Sequence, residues 1–313
     1  MALSDSFVKE LTENVQGRVL LQASLAPYVY YGLGGPAEVL VEPATSDDVR
    51  TVLNLCHREN VEVFLLGSGT NLLVRDGGLR GVVVYLGAGL AGELEMLGES
   101  PDEIRVRVPS HWPKVRLLDW ALMHGWAGLE FSAGIPGTMG GAVYMNAGTK
   151  WGSYAEVIER VRLYSPTKGF FEKSREEMGF QYRGHGEGLL DGQTAVISVD
   201  LRLDHRLSSA ESRALVDEIL GYRGSKQPLE RPNCGSVFKN PPSGPGAGRL
   251  IEACGLKGMR VGGAEVSQKH ANFVLNVGSA RSADVEALIQ LLRERVLTEK
   301  GVALETEVII VGE

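Results

Sequence analysis

Gly134-Ile135-Pro136-Gly137-Thr138-Met139-Gly140-Gly141-Ala142-Val143-Tyr144-Met145-Asn146-Ala147-Gly148 is the stretch on which the reading turns. Five glycines in fifteen positions leave too few side chains for a packed helix or an ordinary strand. They would leave backbone N–H groups bare, as the close approach of a large anionic ligand requires. A shorter loop of the same character, Gly67-Ser68-Gly69-Thr70-Asn71, follows the apolar residues 61–66. Two such loops about 70 residues apart point to one extended cofactor held at both ends. The plainer alternative, two tight surface turns, fits a single small loop better than fifteen residues with an Ile-Pro inside.

Composition supports a folded chain with more than one part. At 313 residues there is room for two or three compact units with their own cores. A 43% hydrophobic share beside 23% charged residues argues against disorder. The formal charge of -7 argues against a nucleic-acid binder, which carries a basic stripe, but allows a basic pocket for one phosphorylated ligand. Cys56, Cys234 and Cys254 show neither metal-ligand spacing nor an even-numbered framework, so reduced thiols in a cytoplasmic protein are expected, without a metal. The opening MALSDSFVKELTEN is polar and acidic, unlike a signal or transit sequence. No apolar run approaches the roughly 20 residues that span a bilayer.

Helical and strand periodicities alternate along the chain. Ser46 reads as the cap of a helix with Val49, Val52, Leu53 and Cys56 on one face. Residues 61–66 and 81–86 read as buried strands. Residues 114–124 read as a helix that turns Val115, Leu118, Ala121 and Leu122 inward and ends at Gly125. Strands follow at 157–165 and 195–203, the second alternating Ile197, Val199, Leu201 and Leu203 against Ser198, Asp200 and Arg202. An amphipathic helix at 208–224 carries Leu215, Val216, Ile219 and Leu220 inward. After a Pro/Gly-rich passage at 227–248, helices at 248–254 and 283–297 flank a strand at 271–277, and a strand at 302–311 closes the chain. Boundaries fall near residues 86 and 224.

Gly87-Ala88-Gly89-Leu90-Ala91-Gly92 matches the letters of the dinucleotide fingerprint, but the helix that should receive the pyrophosphate is cut short by Gly98 and Pro101, so a turn is expected. No GxxxxGK[ST] loop exists, which removes the common NTPases. The six histidines are scattered without metal-ligand spacing. Cys234 reads as a passive small residue, for want of a partnered histidine. Ser236, Tyr182-Arg183 and Glu307 are ordinary when taken singly: a turn serine, a solvated charge and the outer face of a terminal strand. Their occurrence together with two glycine loops changes that.

In this order, six segments resemble the UDP-N-acetylenolpyruvoylglucosamine reductases, flavoenzymes of peptidoglycan precursor synthesis, over nearly the whole chain. They are Gly34-Gly35-Pro36-Ala37, Gly67-Ser68-Gly69-Thr70-Asn71-Leu72-Leu73, the Gly134 to Gly148 run, Tyr182-Arg183, Gly235-Ser236-Val237-Phe238-Lys239-Asn240-Pro241 and Leu304-Glu305-Thr306-Glu307-Val308. The resemblance implies an α+β fold, a two-lobed FAD-binding module of the vanillyl-alcohol-oxidase type plus a C-terminal α/β substrate-binding domain. The lobes would be 1–86, with 302–313 available to join it, and 87–224; the substrate domain would be 225–301. The FAD contacts it implies are Gly67, Ser68, Gly69, Thr70, Asn71, Leu72, Ala133, Gly134, Ile135, Pro136, Gly137, Thr138, Gly140, Gly141, Ala142, Asn146, Ile197 and Arg223. Only 19 residues separate position 203 from Arg223, leaving no room for the extra tyrosine-bearing loop of the family's longer subtype.

The implied chemistry is NADPH-dependent reduction of the enolpyruvyl UDP-sugar to UDP-N-acetylmuramate. In the family's ping-pong scheme NADPH reduces the flavin, whose N5 then passes hydride to the terminal alkene carbon. Arg183 would grip the substrate carboxylate with a planar fork of donors, and Glu307 would polarise the same group. Ser236 would give a proton to the enolate carbon, a base strong enough to take it from a hydroxyl where water is excluded. Tyr182, Lys226 and Asn240 stand at substrate positions. The expected cofactors are FAD and NADPH, with no nucleic acid, membrane or obligatory protein partner.

The chain departs from the family pattern at four places. His185 stands where Tyr-Arg-x-Ser has serine, and Gly32 where Arg or Lys is frequent. Pro109-Ser110-His111-Trp112 replaces a glycine-rich segment. Glu305-Thr306-Glu307 replaces Glu-Pro-Glu, which keeps Glu305 a competitor of Glu307. Two rivals share the motifs: an FAD-dependent oxidase of an alcohol or lactone, and a non-catalytic UDP-sugar-binding protein. The residues past 224 discriminate, because an oxidase needs no proton donor aimed at an enolate.

Overall fold

The computed structural model describes residues 3–87 and 89–313. The chain forms two compact units, each gathered from three segments. Unit 1 takes Met1–Leu21, Glu38–Ser68 and Gly81–Tyr222; unit 2 takes Gln22–Ala37, Gly69–Arg80 and Arg223–Glu313.

Unit 1 opens with a helix that the periodicity did not bring out, Asp5–Asn14, started by the Ser4 hydroxyl accepting the Phe7 N–H. A second helix, Ser46–Arg58, is capped by Thr45 rather than Ser46, because Thr45 Oγ1 is the atom that accepts the Asp48 N–H. Asp48 is buried with its charge satisfied by the amides of Gln16, Gly17 and Ala44 at 2.8–3.0 Å. Phe7, Leu11, Val52 and Cys56 of these helices share a core with Val39, Val41, Val82 and Val84. Those four valines line a sheet ordered Arg18–Ser24, Pro36–Glu42, Leu79–Tyr85 and Val63–Leu66, whose last two strands are parallel.

A second sheet in unit 1 is antiparallel throughout, in the order Gly169–Ser174, Ile158–Ser165, Ala195–Asp204, Glu103–Pro109 and Glu95–Glu99. Ala195–Asp204 sits at its centre, so the expected polar outer face is also covered: Ser198 and Asp200 are buried, and Asp200 takes both arms of the Arg107 fork at 2.8 and 3.0 Å. Helix Lys114–His124 ends as expected on left-handed Gly125 (φ 76°). Its inward stripe is Leu117, Leu118 and Ala121, while Val115, expected inside, is exposed. In helix Ser209–Lys226, Val216 and Ile219 are buried and Leu220 is not. Ser212 goes inside in its stead, donating to the buried Glu130 carboxylate at 2.7 Å. The fingerprint-like Gly87 to Gly92 segment includes Ala88, which lies outside the described residues, as do Met1 and Ala2. The next regular element after Gly92 is the strand Glu95–Glu99, not a helix.

Unit 2 packs helices Ala247–Ala253 and Ser282–Lys300 with a three-stranded antiparallel sheet, Arg260–Val261, Ala264–Val266 and Val274–Asn276. The strand expected at 271–277 is regular only over Val274–Asn276; just before it, Asn272 bonds to Val237 and Phe238 instead. Of the strand expected at 302–311, only Ile309–Val311 is regular, paired in parallel with Leu72–Val74. Before it the chain makes a single bridge between Phe238 and Thr306. No helix among the described residues is long and apolar enough to cross a membrane.

Candidate active site

The long glycine stretch contains a helix, contrary to the expectation from its composition: Met139–Met145 is helical. Thr138 caps it by accepting the Gly141 N–H, Asn146 ends it in the left-handed region (φ 40°), and Met139, Ala142 and Val143 are buried. Tertiary contact supplies what propensity lacks. The amides of Met139 and Gly140 donate to the carbonyls of Trp112 and Ser110 at 3.0 and 2.7 Å, Lys114 donates to Gly137, and Pro113 bridges to Thr138. A Cβ at Gly140 would stand 3.3 Å from Ser110 Cβ, a tight contact that Ser110 would have to yield to by a few tenths of an ångström. Ser110 itself donates to Ile197 at 2.9 Å, which ties the stretch to the central strand of the second sheet.

The two glycine stretches meet. A Cβ on Gly67 would lie 3.0 Å from Thr138 Oγ1, and both positions belong to unit 1. Gly134 and Gly141 keep exposed backbone beside them. In unit 2, Gly69 is left-handed (φ 60°), and a Cβ there would come within 2.5 Å of the Tyr28 carbonyl. Within unit 1, the backbone around Gly67 and Gly141, with few side chains, fits the flat and anionic parts of a dinucleotide cofactor.

The same stretch holds the Tyr182-Arg183 turn. Gln181 and Gly184 exchange backbone hydrogen bonds at 3.1 and 3.2 Å, leaving Tyr182 and Arg183 at the tip. Asn146 Nδ2 donates to the Gln181 carbonyl and its Oδ1 accepts the Ala155 N–H, both at 3.0 Å. Arg183 Nη2 donates to the Gly148 carbonyl at 3.0 Å, and its guanidinium carbon lies 5.0 Å from the Tyr182 ring centroid. Arg183 has φ 56°, a conformation that suits glycine or asparagine at this turn position. His185, half-buried, packs edge-on to Tyr144 with 5.2 Å between centroids.

In unit 2, Ser236 and Glu307 lie on segments that pair with one another. Glu307 N–H donates to the Val237 carbonyl at 2.8 Å, Lys239 N–H to Glu305 at 2.9 Å, and Phe238 bridges Thr306. Asn71, at the end of the first glycine loop, donates from Nδ2 to the Glu307 carbonyl at 3.0 Å. Glu305 is exposed and paired with Lys239 at 2.5 Å, while Glu307 is half-buried. Asn233 builds the serine turn, accepting Gly235 N–H at 2.8 Å and donating to Arg231 at 2.7 Å. Buried Asn272 clamps the far side, accepting Phe238 N–H at 3.0 Å and donating to the Phe238 carbonyl at 2.8 Å. The Asn272 N–H in turn donates to His270 Nδ1 at 3.2 Å, which needs that ring nitrogen unprotonated. Burial lowers the His270 pKa, in agreement. Asn240 Oδ1 accepts the Ala247 N–H at 3.1 Å at the start of a short helix, and Lys226 is exposed at the end of Ser209–Lys226.

Thus unit 1 holds Gly67, Ser68, the Ala133 to Asn146 positions, Ile197, Tyr182 and Arg183, and unit 2 holds Gly69 to Leu72, Arg223, Lys226, Ser236, Asn240 and Glu307. Residues to which sequence reasoning gave no role are Ser110 and Trp112, whose carbonyls bind the glycine stretch, and Asn233 and Asn272, whose side-chain amides hold the segment around Ser236. The departure of Pro109-Ser110-His111-Trp112 from the family pattern was the one signal available for the first two.

Known proteins with similar sequences and folds fall in one family. The FAD binding domain family matches residues 37–169, and the family described as the C-terminal domain of UDP-N-acetylenolpyruvoylglucosamine reductase matches residues 227–311. The reductase of that name from Syntrophus aciditrophicus (strain SB) is 40% identical over 315 residues, covering 99% of this chain and 98% of its own. That from Anaeromyxobacter sp. (strain Fw109-5) is 44% identical, covering 97% and 92%. The crystal structure of the Thermus caldophilus reductase superposes with a TM-score of 0.77 at 35% identity, over 95% of this chain and 99% of that one. A VAO-type flavoprotein from Myceliophthora thermophila shares the fold alone, with a TM-score of 0.51 at 12% identity, over 97% of this chain and 63% of that one. The α+β, FAD-binding architecture of the vanillyl-alcohol-oxidase type is therefore that of this chain. The chain belongs to the UDP-N-acetylenolpyruvoylglucosamine reductases, the FAD-containing oxidoreductases of peptidoglycan precursor synthesis.

Proposed function

We propose that the chain reduces UDP-N-acetylglucosamine enolpyruvate to UDP-N-acetylmuramate in the cytoplasm, with NADPH and the UDP-sugar acting in turn. Bound FAD supplies the hydride chemistry between the two. The glycine stretches around Gly67 and Gly134 to Gly141 hold its pyrophosphate and ribityl chain through backbone amides. In this reading the FAD module subdivides into lobes 1–86 and 87–224, followed by a substrate domain at 225–301.

The chain's own groups handle carboxylate and proton. Arg183 grips the enolpyruvyl carboxylate, a role supported by its left-handed φ of 56°, a strained conformation of the sort kept where a side chain must be aimed. Glu307 rather than Glu305 polarises that group, since Glu305 is exposed and neutralised by Lys239. Ser236 gives its proton to the carbon next to the carboxylate. Tyr182, Lys226 and Asn240 contribute to holding the UDP-sugar.

The observation that carries this reading is the pairing of the Ser236 and Glu307 segments, with Asn71 of the first glycine loop on the Glu307 carbonyl. Ser236→Ala tests it by stopped flow on the two half-reactions. Reduction of the bound flavin by NADPH should stay within about twofold of wild type. Reoxidation by the enolpyruvyl substrate should slow by about 10²-fold or more, the range of a lost general acid. Equal losses in both halves would make Ser236 structural and overturn its role.

A further inference from the structure

Val237 and Phe238 follow Ser236 directly, and both are held from two sides within unit 2. On one side the Val237 carbonyl accepts the Glu307 N–H at 2.8 Å and the Val308 N–H at 3.3 Å, which joins the serine segment to the glutamate segment. On the other side one residue supplies three bonds. The Asn272 carbonyl accepts the Val237 N–H at 2.9 Å, its Oδ1 accepts the Phe238 N–H at 3.0 Å, and its Nδ2 donates to the Phe238 carbonyl at 2.8 Å. The carboxamide, with a donor and an acceptor on one short stem, stands in for a neighbouring strand just before Val274–Asn276 begins.

Asn272 is itself fixed. Its N–H donates to His270 Nδ1 at 3.2 Å, the Phe273 N–H donates to the His270 carbonyl at 3.0 Å, and Ser267 Oγ accepts the Lys269 and His270 amides at 3.1 and 3.3 Å. Asn272, Val237 and Phe238 are buried, whereas Ser236 and Glu307 are half-buried. With its own surface closed to solvent, Asn272 acts on chemistry only through the segments it holds. Toward the N-terminus, Ser236 is preceded by left-handed Gly235 (φ 81°), a joint with nothing within 4 Å of a would-be Cβ. The direction of the serine hydroxyl therefore depends on how firmly residues 237 and 238 are held.

We propose that Asn272 is a positioning residue: its bonds to Val237 and Phe238 fix the aim of the Ser236 hydroxyl and, through the Val237 carbonyl, the register of the Glu307 segment. This rests on the roles proposed above for Ser236 and Glu307. Loss of the carboxamide lets the hydroxyl drift without removing it.

The test uses the FAD-loaded enzyme with Asn272→Ala and the isosteric Asn272→Asp. In Asn272→Ala the Phe238 amide loses its acceptor, so hydrogen exchange in the peptide that carries it should quicken by about 10-fold or more. Reoxidation by the enolpyruvyl substrate should slow about 10- to 100-fold, the scale of a misplacement of up to about 1 Å, while flavin reduction by NADPH stays at the wild-type rate. Asn272→Asp makes the clamp titratable. The protonated acid keeps an acceptor for the Phe238 N–H and gains an O–H donor for its carbonyl; the ionised carboxylate has no donor and opposes that carbonyl. Burial holds the introduced acid above the ordinary carboxylate range. Below its pKa, reoxidation should stay within about threefold of wild type at the same pH, because both bonds survive. As the pH rises through that pKa the ratio should fall about 10- to 100-fold, with no such step in flavin reduction. Comparison at equal pH accounts for His270, which titrates in both enzymes and lies in the field of Lys257 and Glu252.

Unchanged exchange at Phe238, wild-type reoxidation in Asn272→Ala, a pH-independent ratio in Asn272→Asp, or parallel losses in the two half-reactions would each overturn the proposal. If Asn272→Ala does not fold, the Asn272→Asp ratio decides alone. Wild-type enzyme whose reduced flavin the substrate fails to reoxidise would instead sink the functional reading, and this role with it, while the amide exchange would still report the clamp.

Discussion

Arg183 shows how one backbone angle can be read as chemistry. At the tip of the Gln181 to Gly184 turn it adopts φ 56°, where an L side chain costs about 1–2 kcal/mol that glycine would not. The Asn146 amide and the Gly148 carbonyl hold the turn in place, so the strain is imposed locally and persists. Arg183→Gly should leave thermal stability unchanged or raise it by up to about 1 kcal/mol, while reoxidation by substrate falls steeply because the guanidinium fork is gone. Calorimetry beside the half-reaction assay checks both; a destabilised protein, or one with full reoxidation, would contradict the assignment. The pair Tyr182-Arg183 was legible only through its company, since nothing local marks it. Its φ was not legible, because it follows from the Gln181–Gly184 pairing and the Asn146 bond. Likewise Thr45 and Ser46 are equally good caps by residue type, and only the loop's approach chooses between them.

At the scale of elements, the strand Ala195–Asp204 illustrates what burial on both faces demands. Its register places Asp200 beside Arg107, and the two-armed pair lies with Asp200 largely out of solvent. The neighbouring ion pairs of Arg105 and Arg202 with Glu103 and Glu159 are more exposed. Asp200→Ala should therefore destabilise the protein by about 1.5–3 kcal/mol, the range for a bond to a charged group left unpaired. Arg202→Ala should change stability by no more than about 0.5 kcal/mol. Urea unfolding of both variants decides it, and equal effects would contradict the difference in burial. The alternation in 195–203 gave the strand but not its place in the sheet, which depends on partner strands, one of them about 90 to 100 residues earlier in the chain. The helix Met139–Met145 was hidden for a related reason. Glycine content forbids it as an isolated helix; the Ser110 and Trp112 carbonyls, the Thr138 cap and the burial of Met139, Ala142 and Val143 supply the stability it lacks alone. The tail at 302–311 carried a strand-like pattern, yet its partners are short, Phe238 for Thr306 and Leu72–Val74 for Ile309–Val311.

On the scale of the whole molecule, each compact unit is assembled from three stretches of chain, and the first glycine loop is divided between them after Ser68. Periodicity and composition report on contiguous segments, so this interleaving could not be read from them. The FAD-binding fold and the family could, because six motifs in order carry information that no single element does. The central claim is that this chain carries FAD which NADPH reduces and the enolpyruvyl UDP-sugar reoxidises. An anaerobic titration of the purified holoprotein, followed in the visible range, tests it most directly. The expected record is a yellow protein whose flavin band is bleached by one equivalent of NADPH and restored by one equivalent of UDP-N-acetylglucosamine enolpyruvate, with UDP-N-acetylmuramate as the product. A flavin band that NADPH bleaches but the enolpyruvyl substrate leaves bleached would contradict the account, as would a protein that binds no flavin.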